Sequence, residues 1–319
     1  MTNILYLCDK YYYTQKMSRV RFHSMEAISK VSNTTWWGPN WDGWEDGKIV
    51  KNIKNLITKP DLIVVYKPLE MGNDWSELDI PICLRYNETY DQDWTKKEIL
   101  QSNASIVIFH HENDLFGNIE DYRKMIPNVR FEYVPHSAEN TIFKQYKEVE
   151  KVWDVLLVGA LGYTSKVGQH YPIRDRMASL LNKFPKKYKV NRYMRPPGRS
   201  GEAYKNLSAI EFAKAINTAK ICITDSGAPK SRFGKYIEIP MCGTVIAGDI
   251  PNDDSKNFRK FVIEIDNSMS DTEIISNITN VLDNAEKLKK LKAIGLEWSK
   301  NYTQEMYAKR FIEAIKWNQ

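Results

Sequence analysis

An α/β fold, with parallel sheets in two successive domains, follows from three features of the sequence. Short, near-continuous apolar runs alternate with helical stretches, the pattern of strands covered on both faces. The strand-then-glycine-loop pattern begins a second time just after residue 150. The length, 319 residues, suits two domains of about 150 residues each.

Composition narrows the function. The chain is 42% hydrophobic and 27% charged, as in soluble globular proteins. No apolar run reaches the roughly 18 residues a membrane span needs. The start, MTNILYLCDK, reads as a first strand rather than a secretory signal. Four scattered cysteines lack metal-ligand spacing; they read as buried reduced thiols, which predicts a cytoplasmic protein without a metal site. A net charge of +6 fits an anionic ligand or peripheral contact with an anionic membrane. It is unclustered, and no helix-turn-helix, zinc-finger or RNP motif accompanies it, so no nucleic-acid partner is expected.

In the first domain, strands are predicted at 3–8, 61–66, 81–86, 104–109 and 129–134, with helices at 17–31, 50–57, 94–102 and 119–125. The loop after the first strand carries Tyr11, Tyr12 and Tyr13 and lacks G-x-G-x-x-G, which argues against a dinucleotide site. Residues 34–44, TTWWGPNWDGW, hold four of the nine tryptophans. Gly38-Pro39 and Asp42-Gly43 are turn signals, so this window reads as a loop. Trp37, Trp41 and Trp44 would offer flat faces to sugar rings; a protein contact or a membrane-interface belt fits the same residues. Polar residues gather at strand ends: Asp9, Glu88, Asp91, His110, His111, Glu112 and His136. Adjacent His110 and His111 should point to opposite sides of a strand, against a shared metal.

The charged segment 144–151 is the expected linker, giving domains 1–149 and 150–302 and a closing helix 303–319. In the second domain a strand at 153–158 leads into Gly159-Ala160-Leu161-Gly162, then Lys166 and Tyr171-Pro172-Ile173-Arg174, with Pro172 in a first helical turn. A strand at 188–193 precedes the Pro, Gly and Arg-rich stretch 195–201. Ser208 and Glu211 predict a capping box opening a helix to Ala219. The centre of the domain is 221–251: a strand at 221–224 ending in Asp225-Ser226-Gly227, a basic loop, a helix from Phe233 to Met241-Cys242, a glycine stop at Gly243, and a strand at 244–247. Lys230, Arg232 and Lys235 then lie at a carboxyl strand end, where open α/β sheets bind ligands. A solvated charged face on an ordinary βαβ unit fits the same pattern.

The stretch Lys235, Glu238, Gly243, Val245 and Ile246 resembles the K-x-x-E…G-x-x-V-I segment of GT-B glycosyltransferases, especially the group-1-like branch with the CgeB-type spore-maturation proteins. The segment Pro135-His136-Ser137…Phe143 resembles the hinge of the same family. Lys230 departs from it, standing where a second glutamate is usual. The resemblance implies two Rossmann-like domains facing a cleft, with the last helix crossing back to the first domain through Tyr307, Phe311, Ile315 and Trp317. It implies transfer of a sugar from a UDP-, GDP- or dTDP-sugar to a hydroxyl of a glycan or glycoconjugate, with no metal required. Glu238 would hold the ribose, and Lys166, Arg174, Lys230, Arg232 and Lys235 the diphosphate, with Gly159, Ser226 and Tyr236 completing the donor set. The tyrosine and tryptophan loops would hold the acceptor. Candidates for a general base are Asp9, His23, Glu88, Asp91 and His136. A nucleotide-sugar epimerase or hydrolase of the same fold, or a non-catalytic glycan- or nucleotide-binding module, are the alternatives.

Overall fold

The computed structural model describes residues 2–10, 19–66, 68–72, 74–86, 89, 91–165, 168–193 and 207–316. Tyr11, Tyr12, Tyr13, Glu88, Lys166, the 195–201 stretch and Trp317 lie outside them. Two compact units are present: Met1–His136 with Gln304–Gln319, and Ser137–Thr303.

The first unit is built on six parallel strands: β1 (Asn3–Leu7), β2 (Asn33–Trp37), β3 (Leu62–Val65), β4 (Ile82–Tyr86), β5 (Ile106–Phe109) and β6 (Arg130–Tyr133), in the order β2-β1-β3-β4-β5-β6. Alternation sends Leu5, Leu7, Ile63 and Val65 to one buried face, and Ile4, Tyr6, Leu62 and Val64 to the other. Both faces of the inner strands β1, β3, β4 and β5 are covered, which is why these strands read as near-continuous apolar runs. The helices are α1 (Arg19–Ser29), α2 (Ile49–Lys54), α3 (Gln92–Gln101) and α4 (Ile119–Met125).

Strand β2 corrects the loop expected over 34–44. It runs parallel to β1, with Tyr6 opposite Trp36 and Leu7 opposite Trp37. The turn signals begin only at Gly38, so Thr34 to Trp37, β-branched and aromatic, are free to pair. Trp36 packs edge-on against Tyr6 at 5.9 Å and Phe22 at 5.6 Å.

The second unit has a five-stranded parallel sheet in the order β10-β7-β11-β12-β13. Its strands are β7 (Trp153–Leu157), β10 (Val190–Arg192), β11 (Ala219–Ile223), β12 (Val245–Gly248) and β13 (Val262–Glu264). A short antiparallel hairpin, β8 (Thr164–Ser165) with β9 (Gly168–Gln169), has no counterpart in the sequence reading. The helices are α5 (Pro172–Leu180), α6 (Leu207–Asn217), α7 (Lys235–Met241), α8 (Ser255–Phe258), α9 (Asp271–Leu282) and α10 (Ala285–Ser299). Ser208 already lies inside α6, so it is not the expected cap. The full capping box is at α9, where Ser270 and Glu273 exchange hydrogen bonds. Gly243 takes φ +63 just past α7, as the glycine stop requires.

The last helix, α11 (Gln304–Ile315), belongs to the first unit. Tyr307, Phe311 and Ile315 enter the core against β1, β3 and β5. Arg130 on β6 donates to the carbonyls of Ala314 and of Lys316, the latter at 2.8 Å, satisfying the end of the helix. Phe311→Ala should cost about 3–5 kcal/mol in urea unfolding, since Phe311 is fully buried.

Lys151 is held at the amino ends of β11 and β12. Its Nζ donates to the Ala219 carbonyl at 2.6 Å and to Thr244 Oγ1 at 3.0 Å. Burial pushes its pKa down from 10.5 to about 8. Between those values the unfolded chain carries a proton at Lys151 that the folded chain has released, so its contribution to stability rises with pH across that window. Lys151→Met should remove this part of the rise in urea midpoints measured from pH 8 to 10.5. An unchanged slope would contradict the burial of the amine.

Candidate active site

In the second unit, polar side chains converge where β7, β11 and β12 end. Arg174, in the first turn of α5, donates from Nε to Asp225 Oδ1 at 2.6 Å and from its backbone N–H to Asp225 Oδ2 at 3.0 Å. Both residues are 1% exposed. Burial pushes the Asp225 carboxyl up, against the opposing pull of Arg174. The guanidinium also donates from Nη1 to the Ala160 carbonyl at 3.2 Å and stacks 3.4 Å from the Tyr171 ring. Among the described residues its Nη2 makes no hydrogen bond. Gly159, at φ +118, is what admits it: a Cβ there would lie 2.2 Å from Arg174 Nη1.

Asp249, just past β12, is the second anchor. It accepts from Ser226 N at 2.8 Å, Ser226 Oγ at 2.5 Å, Lys230 Nζ at 2.7 Å and Tyr236 OH at 3.0 Å. Tyr236 is fully buried, and burial together with the Asp249 charge holds its hydroxyl well above 10, so it stays a neutral donor. The Ser226–Lys230 loop is thereby clipped to the strand end. Ser231 N donates to Ser226 O, and Lys230 takes a left-handed φ of +56. Lys230 remains 33% exposed, and Asp249 holds one of its three donors.

The remaining donor candidates lie around these anchors. Glu238 is 2% exposed on α7, its Oε1 3.5 Å from the place a Cβ would take on Gly234. Lys235, the first residue of α7, is half-buried. Arg232 is buried, with its guanidinium 4.4 Å from the Tyr302 ring. The sequence reading offered Arg174, Lys230 and Arg232 to a phosphate, with a salt bridge as the other outcome for Arg174; each has a protein neighbour here. Asp225 and Asp249, which hold two of them, were not singled out, although each closely follows an apolar run. Also unforeseen are the rings of His170, Tyr171 and Phe233, which pack together with centroids 4.3–6.2 Å apart.

In the first unit, Arg85 on β4 donates from Nη2 to Ser24 Oγ at 2.9 Å and lies 3.4 Å from His110 Nε2. His110 Nδ1 is 2.7 Å from the Val134 carbonyl. A carbonyl only accepts, so Nδ1 carries the proton and Nε2 faces the guanidinium as a bare nitrogen. The His136 ring lies 4.5 Å from His110 and 5.0 Å from His111. The chain has left β5 after Phe109, so strand alternation does not govern this pair, and both rings reach His136. Among the described residues no group of three His, Cys, Asp or Glu is arranged to hold a metal.

The other base candidates have defined local partners. Asp91 caps α3, accepting from Trp94 N. His23 lies 3.5 Å from Glu26. Asp9 accepts from the Asn40 amide. Trp41 donates to the Cys8 carbonyl at 3.1 Å, while Trp37 and Trp44 meet edge-on at 5.1 Å and pack partly against the core.

No family model and no curated protein matches the sequence. Solved structures do match over the whole chain. A sucrose-phosphate synthase from Thermosynechococcus elongatus aligns at TM-score 0.62 and 10% identity, over 98% of each chain. HepE from Anabaena, in complex with UDP and glucose, aligns at TM-score 0.63 and 10% identity, over 99% of each. The chain has the GT-B fold. WaaG, a glycosyltransferase involved in lipopolysaccharide biosynthesis, aligns at TM-score 0.59 and 10% identity, over 98% of each chain.

Arg174→Met should strand a buried carboxylate and cost about 3–5 kcal/mol in urea unfolding. Arg174→Met with Asp225→Leu should recover most of that loss. A double variant no more stable than the single one would contradict the pairing.

Proposed function

We propose that the protein transfers a sugar from a nucleotide-sugar to a hydroxyl of a glycan or glycoconjugate. The observation that carries this reading is the pair of ionic anchors, the buried Arg174–Asp225 and the partly exposed Lys230–Asp249, beside the buried Glu238 at the strand ends of the second unit. They hold a loop with cationic donors in a defined shape, on a fold shared with HepE in complex with UDP and glucose. Glu238 takes the ribose hydroxyls, as in the CgeB-type branch that the K-x-x-E pattern resembles. The diphosphate takes Lys235, Lys166, the donors of Lys230 beyond Asp249, and Arg174 Nη2. Charge builds on the leaving diphosphate in the transition state, and these groups meet it without a divalent metal. UDP is the first donor to test, ahead of GDP and dTDP.

The acceptor lies with the first unit. His136, its ring 4.5 Å from that of His110, and Asp9 are the bases this reading keeps; Asp91 serves as a helix cap and His23 lies beside Glu26. Four buried free cysteines fit a cytoplasmic enzyme working on an acceptor made there.

A second reading, an epimerase or hydrolase acting on the nucleotide-sugar itself, is favoured by one observation. Three histidines and Arg85 gather in the first unit, which suits proton transfer on the sugar.

Thermal shift against UDP, GDP, dTDP, CDP and their common sugars, with EDTA, tests the donor site. A ligand at 100 times its Kd stabilises by about 2.7 kcal/mol. The expected result is a shift with one nucleotide family that Glu238→Ala abolishes; no shift with any would overturn the donor site. Incubating the responding nucleotide-sugar without acceptor, followed by NMR, separates the readings. An intact sugar fits the transferase, and an epimerised or freed sugar fits the second reading.

A further inference from the structure

Helix α2 has six residues and covers only about 9 Å of the sheet. Beyond it the chain runs from Asn55 to Pro60, leaving one face of the edge strand β2 open. Asn33, Thr35 and Trp37 alternate onto that face, next to Asn3 and Leu5 of β1. Together with Asn55–Thr58 they line a cavity of about 400 Å³, within the range of ligand sites, about 300–1,000 Å³.

The chemistry of its walls is specific. Among the described residues no charged side chain lines it, although 27% of the chain is charged. Three asparagines do, each with an amide that both donates and accepts. Asn33 Nδ2 donates to Asn3 Oδ1 at 2.7 Å, fixing two of them side by side. Trp37 supplies an aromatic wall, held in place through Nε1 to the Asp42 carbonyl at 3.2 Å and by the edge of Trp44. Ile57, fully exposed, adds an apolar rim.

We propose that this cavity is a second saccharide site, taking a neutral sugar or oligosaccharide. Fixed amides suit neighbouring hydroxyls, and a rigid indole suits the C–H face of a ring. Among the described residues no cation lines it to meet a phosphate or nucleotide, and an acyl chain would offer its amides no hydrogen-bond partner. The site stands on the side of the sheet and does not depend on the donor site. A growing or branched glycan could be held here while its reacting end lies elsewhere.

The test is NMR of the Trp37 indole N–H during titration with maltotetraose, cellotetraose and chitotetraose at up to about 10 mM. Thr35→Trp fills the cavity at an exposed strand position, and Asn55→Ala removes one exposed amide. The expected result is a saturable shift with at least one of the three, weakened about tenfold or more by either variant. UDP binding, read in the same samples, should be unchanged, so failure here and failure of the donor site are separate results. No shift with any of the three, or a shift that survives Thr35→Trp, would overturn the proposal. Binding to anionic vesicles in place of saccharides would also overturn it, making the Ile57 rim a membrane contact.

Discussion

Two carboxylates at adjacent strand ends, Asp225 and Asp249, impose the constraint on which the second unit depends. Each is nearly inaccessible to water, and a buried charge must be matched by partners or it is not retained. Asp225 is matched by Arg174, and this in turn requires glycine at 159. Asp249 is matched by Lys230, a hydroxyl, a phenol and a backbone N–H, which closes the Ser226–Lys230 loop. Such pairs add little net stability over an apolar core. They bear instead on shape: the loop they close has Lys230 at positive φ and its ammonium only partly covered. A fixed cationic loop at a strand end is preorganised for an anion, and preorganisation lowers the cost of binding.

Much of this fold was readable because local and global signals agree. Runs such as LIVV at 62–65 and IVIF at 106–109 are apolar on both faces, which only a covered parallel sheet tolerates. Gly243 marks the end of α7 because a left-handed position there excludes most other residues. The amphipathic face of α11 marked a helix needing a core, and it finds one in the first unit.

The misses have equally local causes. Turn residues at Gly38 and Asp42 were taken to govern the whole tryptophan window, whereas their influence does not reach back over Thr34–Trp37. His110 and His111 follow the strand, which ends at Phe109, so strand alternation is no guide to their side chains, and both rings reach His136. At the candidate site, the cations were legible, and the carboxylates that hold two of them were not. These carboxylates, Asp225 and Asp249, are single acids after apolar runs, and pairing across 51 and 19 residues leaves no periodicity to detect. The open face beside β2 was hidden for a related reason. It results from the shortness of α2, and only the folded strand brings Asn3, Asn33 and Asn55 to one cavity.

The central claim is that the clipped loop of the second unit receives a nucleotide diphosphate. Amide hydrogen exchange, measured with and without saturating UDP, addresses it most directly. The account predicts slower exchange at residues 226–238, and loss of that protection in Asp249→Asn, where the carboxylate that gathers the loop is gone. Unchanged exchange over 226–238, with protection confined to the first unit, would contradict it.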